Sequence, residues 1–146
     1  MQKLTVLAAV ALAALPALSA VQDKAEPERV TVQHILIAFK GSIPDPKVTR
    51  SRDEAEALAL KVFGRAKAGE NFDALVKTFT NDEYPGIYRM SNRDATPDAA
   101  KSEYPRARMV KAFGDVSFSL EVGGIGLAVY DPATSRYGWH IIKRLE

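Results

Sequence analysis

There is no cysteine in these 146 residues, which excludes disulfides, thiolate metal sites, a thiol nucleophile and lipid attachment at a mature N-terminal cysteine. Net charge is nearly as scarce. Twenty basic against 18 acidic residues leave a formal +2, so no overall field draws the chain to nucleic acid or an anionic membrane. Histidine occurs twice and tryptophan once. A GxSxG elbow is missing, as is any HxxxH or HxH spacing, and Gly123-Gly124-Ile125-Gly126 lacks the lysine and the following helix that a P-loop requires. These gaps speak against serine hydrolysis, nucleotide binding and a local zinc site, and neither a metal nor a cofactor is expected. What is present is 47% hydrophobic residues, enough to pack one domain at this length.

The first twenty residues stand apart. Lys3 precedes an apolar run from Leu4 to Leu15, followed by Pro16 and the small-residue stretch Ala17-Leu18-Ser19-Ala20. This is the layout of a secretory signal peptide, with cleavage after Ser19 or Ala20. A retained anchor is the alternative, but Leu4 to Ala20 lies at the lower limit of a membrane span of about 17 to 25 residues and contains a proline. The reading is therefore a signal peptide over 1–20, a short charged leader over 21–29 and one domain over 30–146. Export to a periplasm or out of the cell follows from it, with no stable membrane insertion after cleavage.

Val30 to Phe39 (VTVQHILIAF) is rich in β-branched and aromatic residues and suits a strand buried on at least one face, with His34 on the side of Val32 and Leu36. Lys40 to Arg50 has Gly41, Pro44 and Pro46 and no apolar period, so an exposed loop is expected. Ser51-Arg52-Asp53-Glu54 then spells a capping box, and Ala55, Leu58, Ala59, Val62 and Ala66 follow at helical spacing up to Gly69. Asn71 can cap a second helix whose Phe72, Leu75, Val76 and Phe79 share one face. Thr80 to Arg106 is polar and proline-broken, leaving only Gly86 to Met90 as a short strand. Met109 and Phe113 stand four apart, which places them side by side on a third helix that Gly114 ends or distorts. Ile125 to Tyr130 and Gly138 to Lys143 read as a closing pair of strands. The expectation is an α+β fold with a small, mostly antiparallel sheet.

Both histidines fall inside apolar strands, His34 in the first and His140 in the last. If those strands are neighbours, the imidazoles can share a hydrogen bond and fix each other's tautomer. The residues alone leave open whether such a pair serves chemistry or only satisfies a buried polar group. Zinc held by His34, His140 and Asp82 lacks the spacing of a metal motif.

Four separated blocks, in order, resemble the parvulin family of peptidyl-prolyl cis/trans isomerases. Gln33-His34-Ile35-Leu36-Ile37 is similar to its opening strand, Ala68-Gly69-Glu70-Asn71-Phe72 to its helix junction, Phe113 to Gly123 to its third block, and Gly138-Trp139-His140-Ile141-Ile142-Lys143 to its closing strand. The resemblance covers Val30 to Glu146. It implies a four-stranded, mostly antiparallel sheet wrapped by three to four helices, and isomerase activity on X-Pro bonds of other exported proteins. It further implies that His34, Asp82 and His140 form the catalytic network with Ser135 as its hydroxyl. Met109 and Phe113 would then wall the proline pocket, with Tyr88 in the place of a family leucine and Tyr137 beside the substrate. Partners would be proline-containing segments of unfolded or folding polypeptides, not nucleic acid, and a monomer is expected. One departure stands out: the family's GGDLG stretch is replaced here by Pro85-Gly86-Ile87-Tyr88-Arg89. The competing reading is thus a catalytically weak peptide-binding module or holdase on the same fold.

Overall fold

A computed structural model of the chain describes residues 24–146; the signal-peptide segment and the first leader residues lie outside them. Eight strands and helices follow one another: β1 (Arg29–Ile37), α1 (Arg52–Lys67), α2 (Phe72–Phe79), β2 (Ile87–Ser91), β3 (Tyr104–Pro105), α3 (Lys111–Ser119), β4 (Ile125–Ala128) and β5 (Trp139–Arg144). One sheet forms in the order β3-β2-β1-β5-β4. β1 is its middle strand, which is why that segment is an almost unbroken apolar run: every residue after Arg29 is buried.

Alternation along β1 and β5 sends side chains to two separate cores. Ile35, Ile37, Trp139 and Ile141 meet Ala59 and Val62 of α1 and Phe72, Leu75 and Val76 of α2 on one face. Val30, Val32, Met90 and Ile142 meet Phe113 and Phe118 of α3 on the other. Each such large side chain contributes about 1.5–3 kcal/mol by leaving water. Small residues on the inner side of α1 let that helix lie close to the sheet. α3 alone covers the second face, and it leaves the end that carries the histidines open.

The capping box forms as read: Ser51 Oγ accepts from the Glu54 amide at 3.2 Å, and the Ser51 amide donates to Glu54 Oε2 at 2.7 Å. Ser51→Ala is expected to cost about 1 kcal/mol in urea unfolding. An unchanged midpoint would mean that water replaces the cap without loss. At the other end of the domain Gly138 has φ +138°, and a Cβ there would lie 2.1 Å from the Ile37 carbonyl oxygen. Only glycine lets the chain pass this close to β1 before β5 starts.

Several expectations need correction. The sheet is mostly antiparallel as expected but has five strands, because Tyr104–Pro105 adds a short parallel pairing with Met90 and Ser91. Two residues ending in a proline at an edge leave no alternation to detect. The stretch read as plain loop also holds short 3-10 turns at Ala99–Lys101 and Arg106–Arg108. Met109 does not belong to α3; it is extended (φ −85°, ψ 160°) just before it, so its closeness to Phe113 is not that of one helix face. Gly114 does not end the helix, which runs on to Ser119; its bare Cα fits beneath the Arg106 stem, which a Cβ would meet at 3.1 Å. The loop after β1 is only partly exposed, since Val48 is buried and packs with Ile43 against Leu36 and Ala38. Nor is the described part of the leader free in solvent: Glu26 pairs with the buried Arg106 at 2.6 Å, and Lys24 with Glu121 at 2.7 Å.

Candidate active site

The register places Leu36 opposite His140 and His34 opposite Ile142. The two histidines are therefore diagonal neighbours on one face, a spacing that ring side chains can bridge. They do so: Nδ1 of His34 lies 3.2 Å from Nδ1 of His140, and the rings stack at 17° with centroids 5.4 Å apart. On its other side His34 Nε2 is 2.9 Å from Asp82 Oδ2, and the Tyr88 hydroxyl donates to that same oxygen at 2.9 Å.

Protonation states follow from this chain of bonds. The His34 hydrogen bond, helped by the Glu83 amide and the Tyr88 hydroxyl, holds the Asp82 carboxyl far below the usual carboxylate range against the opposing effect of burial. Being ionised, Asp82 only accepts, so His34 Nε2 carries a hydrogen. Between the two rings, the facing Nδ1 atoms share one hydrogen, and His140 Nε2 is buried without a protein partner. Burial, reinforced by His34, pushes His140 down to about 3, so it stays uncharged near neutrality. Burial first, and then the bond to Asp82, push the Tyr88 hydroxyl well above its ordinary value; it remains a neutral donor.

Phe113 locks the pair from below, with its ring edge-on to His34 at 5.0 Å and near His140 at 5.5 Å. Above this floor opens a cleft of about 470 Å³, walled on its apolar side by Met109, Val110, Phe113 and Tyr88 and closed by Tyr137 and the loop residues Ile43 to Asp45. Of the residues singled out from the sequence, His34, Asp82, His140, Met109, Phe113, Tyr88 and Tyr137 all line this one cleft. Ser135 does not. It is wholly buried and donates to the Gly138 carbonyl at 2.8 Å, stapling the turn into β5 and leaving the histidines to each other. His34, His140 and Asp82 bond in a row, and no group of three potential metal ligands converges among the described residues.

The sequence patterns assign no role to Thr80 or Asn81. Thr80 Oγ1 accepts from the amides of Leu36 and Asp82, and Asn81 Oδ1 from the Ala38 amide and Arg50. These bonds clamp the segment after α2 onto β1 and aim Asp82 at His34. The polar triplet Thr80-Asn81-Asp82 directly behind an amphipathic helix was the available signal. Gly86 completes the clamp: its carbonyl accepts from the His34 amide at 3.0 Å, and a Cβ on it would stand 2.8 Å from the His34 oxygen.

The arrangement is that of a parvulin-type α+β domain. The chain belongs to the PPIC-type PPIASE domain family, whose model matches residues 17–146. Foldase protein PrsA 4 of Bacillus cereus is 31% identical over 121 residues, covering 83% of this chain and 38% of the relative. Chaperone SurA of Pseudomonas aeruginosa is 28% identical over 118 residues, covering 81% of this chain and 24% of the relative. The chain thus spans well under half the length of these relatives. Among solved structures, the solution structure of TbPIN1 superposes with a TM-score of 0.60 at 23% identity, over 82% of this chain and 98% of that one. A PpiC-type peptidyl-prolyl cis-trans isomerase domain gives 0.54 at 14% identity, over 81% and 89%. At these identities the two structures speak to the fold.

Proposed function

We propose that this protein is a peptidyl-prolyl cis/trans isomerase that acts on X-Pro bonds of exported polypeptides and assists their folding. The observation that carries the reading is the apolar cleft beside a buried, hydrogen-bonded imidazole pair. Rotation about an X-Pro amide faces a barrier of about 18–20 kcal/mol and breaks no bond. Catalysis therefore requires only that the twisted amide bind better than either planar form. Met109, Phe113 and Tyr88 grip the pyrrolidine ring and keep away the water that stabilises the planar carbonyl. The histidine pair holds Asp82 and Tyr88 in one hydrogen-bonding state around the amide.

A covalent route through Asp82 is disfavoured. Its Oδ2 accepts from both His34 and Tyr88; these bonds stabilise the carboxylate, and attack, which passes its negative charge to the substrate oxygen, would weaken them. Export rests on the signal-peptide pattern of residues 1–20. The alternative, a peptide-binding module with weak turnover, is favoured by the Pro85-to-Arg89 replacement, which puts the polar hydroxyl of Tyr88 into the pocket wall. Exchange spectroscopy on a panel of X-Pro peptides decides between them. Catalysed cis/trans exchange at micromolar protein is expected; binding with no exchange of any peptide would leave the module.

A further inference from the structure

A second depression, of about 330 Å³, adjoins the cleft and shares Met109, Val110 and Tyr137 with it. Its remaining walls are Arg108, Lys111 and Arg136 with Ala133 and Thr134, and no carboxylate lines it. The walls come from two segments that the fold ties together, since the Ala112 amide at the start of α3 donates to the Thr134 carbonyl at 2.9 Å. Arg136 is held without an acid: its guanidinium lies over the Tyr137 ring at 4.8 Å and donates to that hydroxyl at 2.6 Å. Lys111 is engaged by Asp115 at 2.5 Å. Arg108 and Arg136 form no ion pair among the described residues, and both are exposed.

The cleft proper has the opposite sign. Asp45 and Asp82 are the only Asp, Glu, Lys or Arg side chains along it. The charged side chains therefore change sign across Tyr137, from carboxylates in the cleft to guanidinium groups in the depression beside it. We propose that Arg108 and Arg136 form an acid-binding subsite for the client polypeptide, taking the carboxylate of an Asp or Glu that lies within about three residues of the proline. The groove selects clients in which acidic residues flank proline on one side, while the two cleft carboxylates disfavour an acid seated over the histidines themselves. The proposal rests on the isomerase reading for the seating of the proline.

The test is fluorescence anisotropy with labelled peptides of one proline, in which Glu or Gln occupies each of the three positions on either side, run in parallel with exchange spectroscopy on the same peptides. At low salt, Glu on one flank is expected to bind about three- to tenfold more tightly than Gln. The ratio should fall towards one in about 0.5 M salt and in the Arg108→Gln/Arg136→Gln double variant, whose fold is checked by circular dichroism. Glu and Gln peptides that bind alike or not at all, or a preference that survives the double variant, overturn the subsite. An acid preference without exchange of any peptide keeps the subsite and removes the isomerase reading, whereas exchange of neutral peptides without the preference does the reverse.

Discussion

Met109→Ala is expected to lower kcat/KM for a prolyl peptide by about 10- to 100-fold, the loss that follows from removing a contact worth about 1.5–3 kcal/mol in the transition state. Stability should change little, because Met109 is only partly buried and stands outside α3. Phe113 behaves differently although it walls the same cleft. It is 2% exposed and belongs to the second core, so Phe113→Ala should cost about 3–5 kcal/mol, a large part of the 5–15 kcal/mol or so that holds a domain together. Turnover and fold would then fail together. The pair of variants, assayed for exchange and for urea midpoint, separates grip from scaffold. Wild-type turnover in Met109→Ala would remove that side chain from the proline wall.

Acid should unfold the domain early, and His140 is the cause. His140 titrates at about 3 in the folded protein against an ordinary 6.5. Below pH 6.5 the unfolded chain takes up a proton that the native state refuses, so stability falls as pH falls, by at most about 1.4 kcal/mol per pH unit. Asp82 acts in the same direction at lower pH: its carboxylate stabilises the fold fully above the unfolded pKa of about 3.9, and that contribution is lost as pH falls further. Urea midpoints measured from pH 7.5 to 4 should therefore decline below 6.5. His140→Gln should start lower at pH 7.5 and decline less. An equal slope in the variant would mean that His140 is not the group refusing the proton.

The local elements were legible because each carries its own chemistry. The Ser51–Glu54 box, the Asn71 cap and the one-sided face of Phe72, Leu75 and Val76 are satisfied within a few residues. β1 was legible as an apolar run too short for a helix. The third helix was misplaced because spacing of four is shared by a true helix face and by Met109 and Phe113, which meet across a helix start. Nearness in sequence to β5 does not say which acceptor a hydroxyl finds: Ser135, which the resemblance places in the histidine network, donates to the Gly138 carbonyl instead.

By itself the chain order of residues determined that two imidazoles would sit in apolar strands, that two helices would carry their own caps, and that no thiol would take part. Only the tertiary structure decided that β1 and β5 pair with His34 and His140 on a diagonal, that Asp82 is turned onto His34, and that a basic groove opens beside Tyr137. The reason is physical. Capping and periodicity are settled by neighbours one turn away, whereas register, loop docking and the meeting of distant charges depend on which of many long-range contacts bury the most surface while leaving the fewest polar groups unpaired.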